Sequence, residues 1–344
     1  MHLGTFENFT ECYLGLLKKV MEEPQYESAP RDQNIKEILG ASFTINNIRD
    51  RIPYVTKRKF SMSYMVAELA WYLSGNNSTD WISKYSGFWK NISDDGVTAN
   101  SAYGARLFKR HEKIAQGRFS QVDYVVSELR RDPDSRRAVM HLRVPDDSID
   151  AKLDVPCTLA LQFFIRDNKL HQVANMRSSD LVFGIAYDIP AFTVFQEMIA
   201  NELEVEVGSY THTSNSLHIY ESHFEMVESI LDPANVENSI SMHKKNGPMP
   251  PIIGDMENIF KNVGRLCSFE NELQNCEDAL KVEDTFLKFY PAGSYGSTKL
   301  SDWAIVLASA RLRKLGLRKA ASRLICNTNF SGYNFNQKKE LISE

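Results

Sequence analysis

No two of the five cysteines, Cys12, Cys157, Cys267, Cys276 and Cys326, stand in CxxC spacing, and their number is odd. That pattern argues against a disulfide framework and offers no zinc-site spacing. A reduced, cytoplasmic setting and no bound metal are expected. An uninterrupted apolar run of membrane length is also missing, so no membrane partner is expected. The first residues, MHLGTFENFTEC, lack the basic stretch and apolar core of a signal peptide. Positive charge is not in excess: 40 Lys and Arg against 44 Asp and Glu leave a net charge of -4. A protein that coats nucleic acid is therefore not expected. An anion such as a phosphate has to be bound by a local cluster of basic residues. Internal repeats and low-complexity tracts are absent too, which argues against a solenoid or a disordered chain.

What remains is an ordinary globular mixture, 43% hydrophobic and 24% charged over 344 residues. That length suits one large domain with an appendage. Apolar residues at helical spacing predict helices over 7–22, 61–74, 120–131, 189–203 and 217–231. The segments LALQFFIR (159–166) and LHQVANM (170–176) predict two strands, and Asp167-Asn168-Lys169 between them is turn chemistry. A third strand is expected in VEVGSYTHT. Past about residue 235 the texture changes: KKNGPMPP reads as a linker, and 301–325 as a basic amphipathic helix broken at Gly316. The division expected is a catalytic domain over 1–235 and a C-terminal extension of mixed and helical character over 236–344.

One segment carries chemistry. Cys157 follows a proline ahead of a strand, and the hairpin returns to Arg177-Ser178-Ser179-Asp180; Asp188 and His218-Ile219-Tyr220 come later. A buried cysteine is usually a small core residue. A cysteine facing an arginine, however, can be held as a thiolate, the reactive form.

The segments ELAWYLSGNNST, AYG, DPDSRR, DVPCTLALQFF, MRSSDLVFGIAYDIPAF and GSYTHTSNSLHIYESH, in this order, resemble thymidylate synthase and its hydroxymethylase relatives from about residue 9 to 230. The resemblance implies an α/β (α+β) thymidylate-synthase-like fold. Its large mixed sheet has helices packed on one face and joins two subunits back to back, with active sites shared in the homodimer. Cys157 would add to C6 of a pyrimidine nucleotide and make C5 nucleophilic. The nucleotide phosphate would be held by Arg31, by Arg177 with Ser178, and by Arg136 and Arg137 from the partner subunit, forked guanidiniums being suited to phosphate. His218 and Tyr220 would hold the sugar 3′-hydroxyl. Glu68 would relay protons, Tyr103 would help to remove the C5 proton, and Asp180 would contact both substrate and pterin. Trp89 would pack near the cosubstrate, 5,10-methylenetetrahydrofolate.

Asp188 departs from the synthases, which carry Asn where the side chain meets the base. An Asn amide suits uracil, donating to O4 and accepting from N3. A carboxylate accepts from the cytosine amino group and from a protonated N3, and it would meet the uracil O4 lone pair to lone pair. Asp188 thus points to cytosine, and its resemblance to the deoxycytidylate hydroxymethylases of the family implies dCMP; as a helix N-cap before Ile189-Pro190 it would have a purely local role. Thr158, Ile92, Ser216 and the C-terminal QKKELISE also depart from the synthases. By that resemblance, each would loosen the exclusion of water that hydride transfer needs, without by itself establishing hydroxylation. The expected reaction converts dCMP, methylenetetrahydrofolate and water into 5-hydroxymethyl-dCMP and tetrahydrofolate. The alternatives are a CMP hydroxymethylase, a dCMP or dUMP methylase, and a non-catalytic nucleotide- or RNA-binding relative built on the basic helix. Because some bacterial viruses mark their DNA with hydroxymethylcytosine, a phage source and a host-cytoplasm location are expected.

Overall fold

The structure, a computed structural model, describes residues 1–109, 111–113, 117–149, 152–291 and 300–334. The C-terminal QKKELISE lies outside the described residues. Along the chain run β1 (His2–Phe6), α1 (Phe9–Glu22), β2 (Tyr26–Ser28), β3 (Ile35–Ile45), α2 (Met62–Leu73), α3 (Thr79–Ile82), α4 (Phe88–Ile92) and α5 (Tyr103–Leu107). Then follow β4 (His111–Lys113), β5 (Gly117–Phe119), α6 (Gln121–Arg131), β6 (Val139–His141), β7 (Thr158–Arg166), β8 (Lys169–Met176), β9 (Ser179–Asp180), α7 (Ile185–Glu202) and β10 (Glu206–Tyr220). The last part is helical: α8 (Phe224–Leu231), α9 (Pro233–Asn246), α10 (Met256–Leu273), α11 (Ala279–Phe289), α12 (Leu300–Lys314) and α13 (Arg318–Ile325). Among the described residues no helix is long and apolar enough to cross a membrane. Two compact units divide these elements: Met1–Phe60 with Arg110–Met249, and Ser61–Lys109 with Pro250–Glu344.

The first unit is built on a mixed sheet in the order β1-β3-β10-β8-β7-β6, with β2 also on β3 and β9 also on β10. β10 runs parallel to β8 and antiparallel to β3. The expected hairpin is present: Asp167 (φ 49°) and Asn168 (φ 57°) both adopt the left-handed conformation, as a two-residue type I′ turn demands. Alternation sorts the faces. Leu170, Ala174 and Met176 of β8 and Tyr210 and His212 of β10 are buried on the face where α1 and α7 pack. Ser42, Thr44, Thr211 and Thr213 on the opposite face are half-exposed, with Thr44 Oγ1 3.0 Å from Thr211 Oγ1. The α1 helix starts where the Asn8 side chain accepts the Glu11 N–H at 2.9 Å. It buries Phe9, Tyr13, Leu16 and Leu17, each contributing about 1.5–3 kcal/mol.

Two expectations need correction. The helix expected over 189–203 begins four residues earlier, at Ile185, with Gly184 as its N-cap; Asp188 lies inside the first turn and Pro190 in the helix body. The helix expected over 217–231 begins only at Phe224, because Leu217 to Tyr220 pair with β3 as the end of β10. Periodicity in LHIYESHF reads as helical, but the ladder to β3 satisfies the backbone first.

In the second unit α2 is packed by α10 and α12. The basic amphipathic helix expected over 301–325 is two helices, α12 and α13, broken at Gly316 (φ 79°) as the sequence implies. Nearly all of α12 is buried, so it is a core helix whose basic residues cluster at its end.

Candidate active site

Cys157 sits one residue before β7, half-buried and in no disulfide. The hairpin brings the end of β8 beside it, and the Arg177 N–H donates to the Cys157 carbonyl at 2.8 Å. The Arg177 side chain folds back on the same loop, with Nε donating to the Pro156 carbonyl at 3.0 Å and Nη2 to the Val155 carbonyl at 2.9 Å. A guanidinium used this way is not a solvated strand-end charge. It fixes the loop that carries the thiol and holds positive charge next to it. Burial pushes the Cys157 thiol up; Arg177 and Arg31 pull it down, while Asp188 and Asp154 push it further up. The neighbouring Thr158 hydroxyl donates to the Met176 sulfur at 3.1 Å.

Asp188 is half-buried in the first turn of α7, and its backbone N–H donates to the Gly184 carbonyl at 2.9 Å. That position removes the N-cap explanation, since the cap is Gly184 and makes no side-chain cap bond. Asp180, on β9 beside His218, accepts the Val182 N–H at 2.8 Å and the Phe183 N–H at 3.1 Å. Ser178 is half-buried between Arg177 and β9. His218 and Tyr220 share a face of β10, their rings edge to face at 4.9 Å. Burial pulls the His218 imidazole down, opposed by the carboxylates of Asp180 and Glu37. Burial and Asp180 push the Tyr220 phenol up, and Arg31 pulls it down.

Arg31 occupies a tight turn with φ 55°, so its charge joins those of Arg177, Asp188 and Asp180 around Cys157 and Tyr220. Arg136 and Arg137 stay apart from this group. They are exposed in the segment leading to the edge strand β6, and neither is among the charges that bear most on Cys157, His218 or Tyr220.

The second unit holds a separate cluster around Glu68, which is 6% exposed on α2. Tyr64, Glu68 and Tyr72 are spaced four apart and lie on one helical face. The Tyr64 hydroxyl donates to Glu68 Oε1 at 2.5 Å and the Tyr72 hydroxyl donates at 3.2 Å. Trp89 of α4 donates its indole N–H to the Tyr64 oxygen at 3.0 Å. Tyr103 opens α5 and stacks on Tyr72 at 5.1 Å. Burial raises the Glu68 carboxyl to about 7, against the lowering effect of both hydroxyls. A carboxyl poised there can take or give a proton at neutral pH.

Three features have no counterpart in the sequence reading. Tyr64 is one, legible only as the residue one turn before Glu68. Glu37 is another: Ser216 donates its hydroxyl to Glu37 Oε2 at 2.7 Å, and Glu37 is the cross-strand partner of His218. The third is Arg58, buried at 4% exposure among Phe60, Phe183 and Tyr187. Its Nε donates to the Val182 carbonyl at 2.8 Å, while both terminal nitrogens have no hydrogen-bond partner among the described residues. Burial pushes the Tyr13 phenol up, and the Arg58 charge pulls it down.

The thymidylate synthase family profile matches residues 11–247. The deoxyuridylate hydroxymethyltransferase of Bacillus phage SP01 is 33% identical in an alignment of 218 residues that covers 61% of this chain and 57% of that protein. The matched region thus spans less than two thirds of that relative's length.

Proposed function

The chain belongs to the thymidylate synthase family, and from that premise we propose that it is a folate-dependent C5 hydroxymethyltransferase acting on dCMP. Cys157 adds to C6 of the base, so that C5 becomes the nucleophile. Glu68 holds the proton that moves between water and the base, with Tyr103 beside it. Bound 5,10-methylenetetrahydrofolate supplies the one-carbon unit at the oxidation level of formaldehyde, and water supplies the hydroxyl oxygen. Trp89 and Asp180 are the residues proposed to hold this cosubstrate. The unpartnered buried nitrogens of Arg58 fit a molecule that ends in a carboxylate. Arg31, Arg177 and Ser178 take the nucleotide phosphate, His218 and Tyr220 the sugar. Arg136 and Arg137, exposed and apart from Cys157, fit a role in the site of a second subunit, with the half-exposed sheet face as the contact of a homodimer.

The observation that carries the choice of cytosine is Asp188. Its carboxylate is not used as a helix cap, and its charge pushes the Cys157 thiol up. A cytosine protonated at N3 neutralises that charge as it binds, which favours the thiolate at the moment of attack. Uracil, donating its N3 proton without giving it up, leaves the charge in place. A second reading, dUMP as substrate, is favoured by the name of the SP01 relative. Tritium release from 5-tritiated dCMP, CMP and dUMP, with methylenetetrahydrofolate present, separates the readings. Release from dCMP without dihydrofolate formation is expected. Release from dUMP alone overturns the role given to Asp188, and release accompanied by dihydrofolate makes the protein a methylase.

A further inference from the structure

Taking Glu68 as the proton-relaying acid, we propose that Tyr64 and Tyr72 are positioning residues that hold its carboxylate, and that Tyr64 couples it to Trp89. Both hydroxyls converge on the same oxygen, Oε1, at 2.5 Å from Tyr64 and 3.2 Å from Tyr72. Tyr64 itself accepts from Trp89 Nε1 at 3.0 Å, so indole, phenol and carboxylate form one directed chain. A donor that is itself receiving a hydrogen bond donates more strongly. The chain therefore stabilises the ionised carboxylate that burial opposes. The i, i+4, i+8 spacing lets one helix carry both donors, so the arrangement does not depend on a loop.

The groups facing Glu68 are few. From α2 they are the two phenols; Trp89 of α4 and Tyr103 of α5 bring no charge at neutral pH, Arg106 of α5 donates to the Asn100 carbonyl at 2.8 Å, and Asp80 of α3 pairs with Lys90 at 3.2 Å. The α10 and α12 helices also pack on α2, and their buried and half-buried groups Glu270, Asp302 and Arg311 are engaged elsewhere. Glu270 bonds Tyr85 at 3.1 Å and Lys84 at 3.2 Å, Asp302 accepts from Asn329 at 3.0 Å, and Arg311 donates to the Cys276 carbonyl at 2.7 Å. Burial and the two hydroxyls are then what set the Glu68 titration. With Oε1 occupied, the proton is left to travel through Oε2. The two tyrosines also fix the carboxyl plane, so that this second oxygen keeps one direction.

The test uses the full-length protein labelled with carboxyl-¹³C glutamate, the Glu68 signal being assigned by its loss in Glu68→Gln. In Tyr64→Phe the Glu68 titration midpoint is expected to rise by about one pH unit, and in Tyr72→Phe by less. The acidic limb of the tritium-release profile should move with it. Tyr64→Phe is then about tenfold slower at pH values below the midpoint, with the deficit closing as pH rises and the nucleotide KM unchanged. An unshifted midpoint in both variants, or a loss of rate equal at every pH, overturns the proposal while leaving Glu68 as the acid. A wild-type protein that releases no tritium from any nucleotide overturns the reading of Glu68 itself.

Discussion

At the scale of single residues, the balance of charge around Cys157 decides the chemistry. Two guanidiniums lower its thiol and two carboxylates raise it, on top of burial. After burial, Arg177 and Asp188 are the largest influences of each sign, so removing either one should move the reactivity of the sulfur. Asp188→Asn should lower the thiol and speed alkylation by iodoacetamide severalfold at a fixed pH of 7, while Arg177→Ala should slow it. Equal rates in wild type and Asp188→Asn would mean that the carboxylate does not act on the sulfur. Glu68 gives a stability prediction. Its carboxyl is raised from 4.5 to about 7 in the folded protein, so the folded state binds its proton more tightly than the unfolded state does. The resulting stabilisation is complete below 4.5 and is lost as pH rises through 7. Glu68→Gln, which has no proton to lose, should gain on wild type over that window by up to roughly 3 kcal/mol in denaturant unfolding at pH 8. The positions of Cys157, Arg177 and Asp188 were legible in the sequence because they fall in short ordered segments. The bond from Tyr64 to Glu68 was not, since only the depth of burial turns a helical neighbour into a proton partner.

At the scale of elements, α2 and α5 show how closely the acid cluster is fitted. A Cβ on Gly104 would lie 2.0 Å from the Tyr72 carbonyl oxygen, which is backbone and has no rotamer in which to retreat. Gly104→Ala should therefore cost about 3 kcal/mol or more and lower the melting temperature. An unchanged melting temperature would mean that α5 does not lie against α2 as described. The helices were readable because apolar residues recur along them: α1, α2 and α6 match their expected spans within two residues. The strands were less so. β1 and β3 escaped, since β3 carries Lys36, Glu37 and an exposed Leu39-Gly40 in place of strict alternation. The end of β10 reads as a helix in the sequence because its register with β3 is a property of two distant segments, not of either alone.

At the scale of the whole molecule, the chain order conceals the arrangement. Residues 61–109, which carry Glu68, Trp89 and Tyr103, cluster with the helices from Pro250 onward, while Cys157, Arg177 and Asp188 belong to the sheet unit. A sequence pattern gives no sign of that grouping, because it follows from which apolar helix faces meet. The proposed sharing of sites between subunits has its own test. Cys157→Ser and the double variant Arg136→Ala, Arg137→Ala should each be inactive alone, and mixing them under subunit exchange should restore activity. Failure to restore it would return the two arginines to a role within one chain or on the surface. The central claim is that water, not a hydride, completes the reaction on a cytosine nucleotide. The most direct measurement is the mass of the product formed from dCMP and methylenetetrahydrofolate in ¹⁸O-labelled water. The account predicts 5-hydroxymethyl-dCMP carrying one labelled oxygen, with tetrahydrofolate as the partner product; an unlabelled 5-methyl nucleotide formed together with dihydrofolate would contradict it.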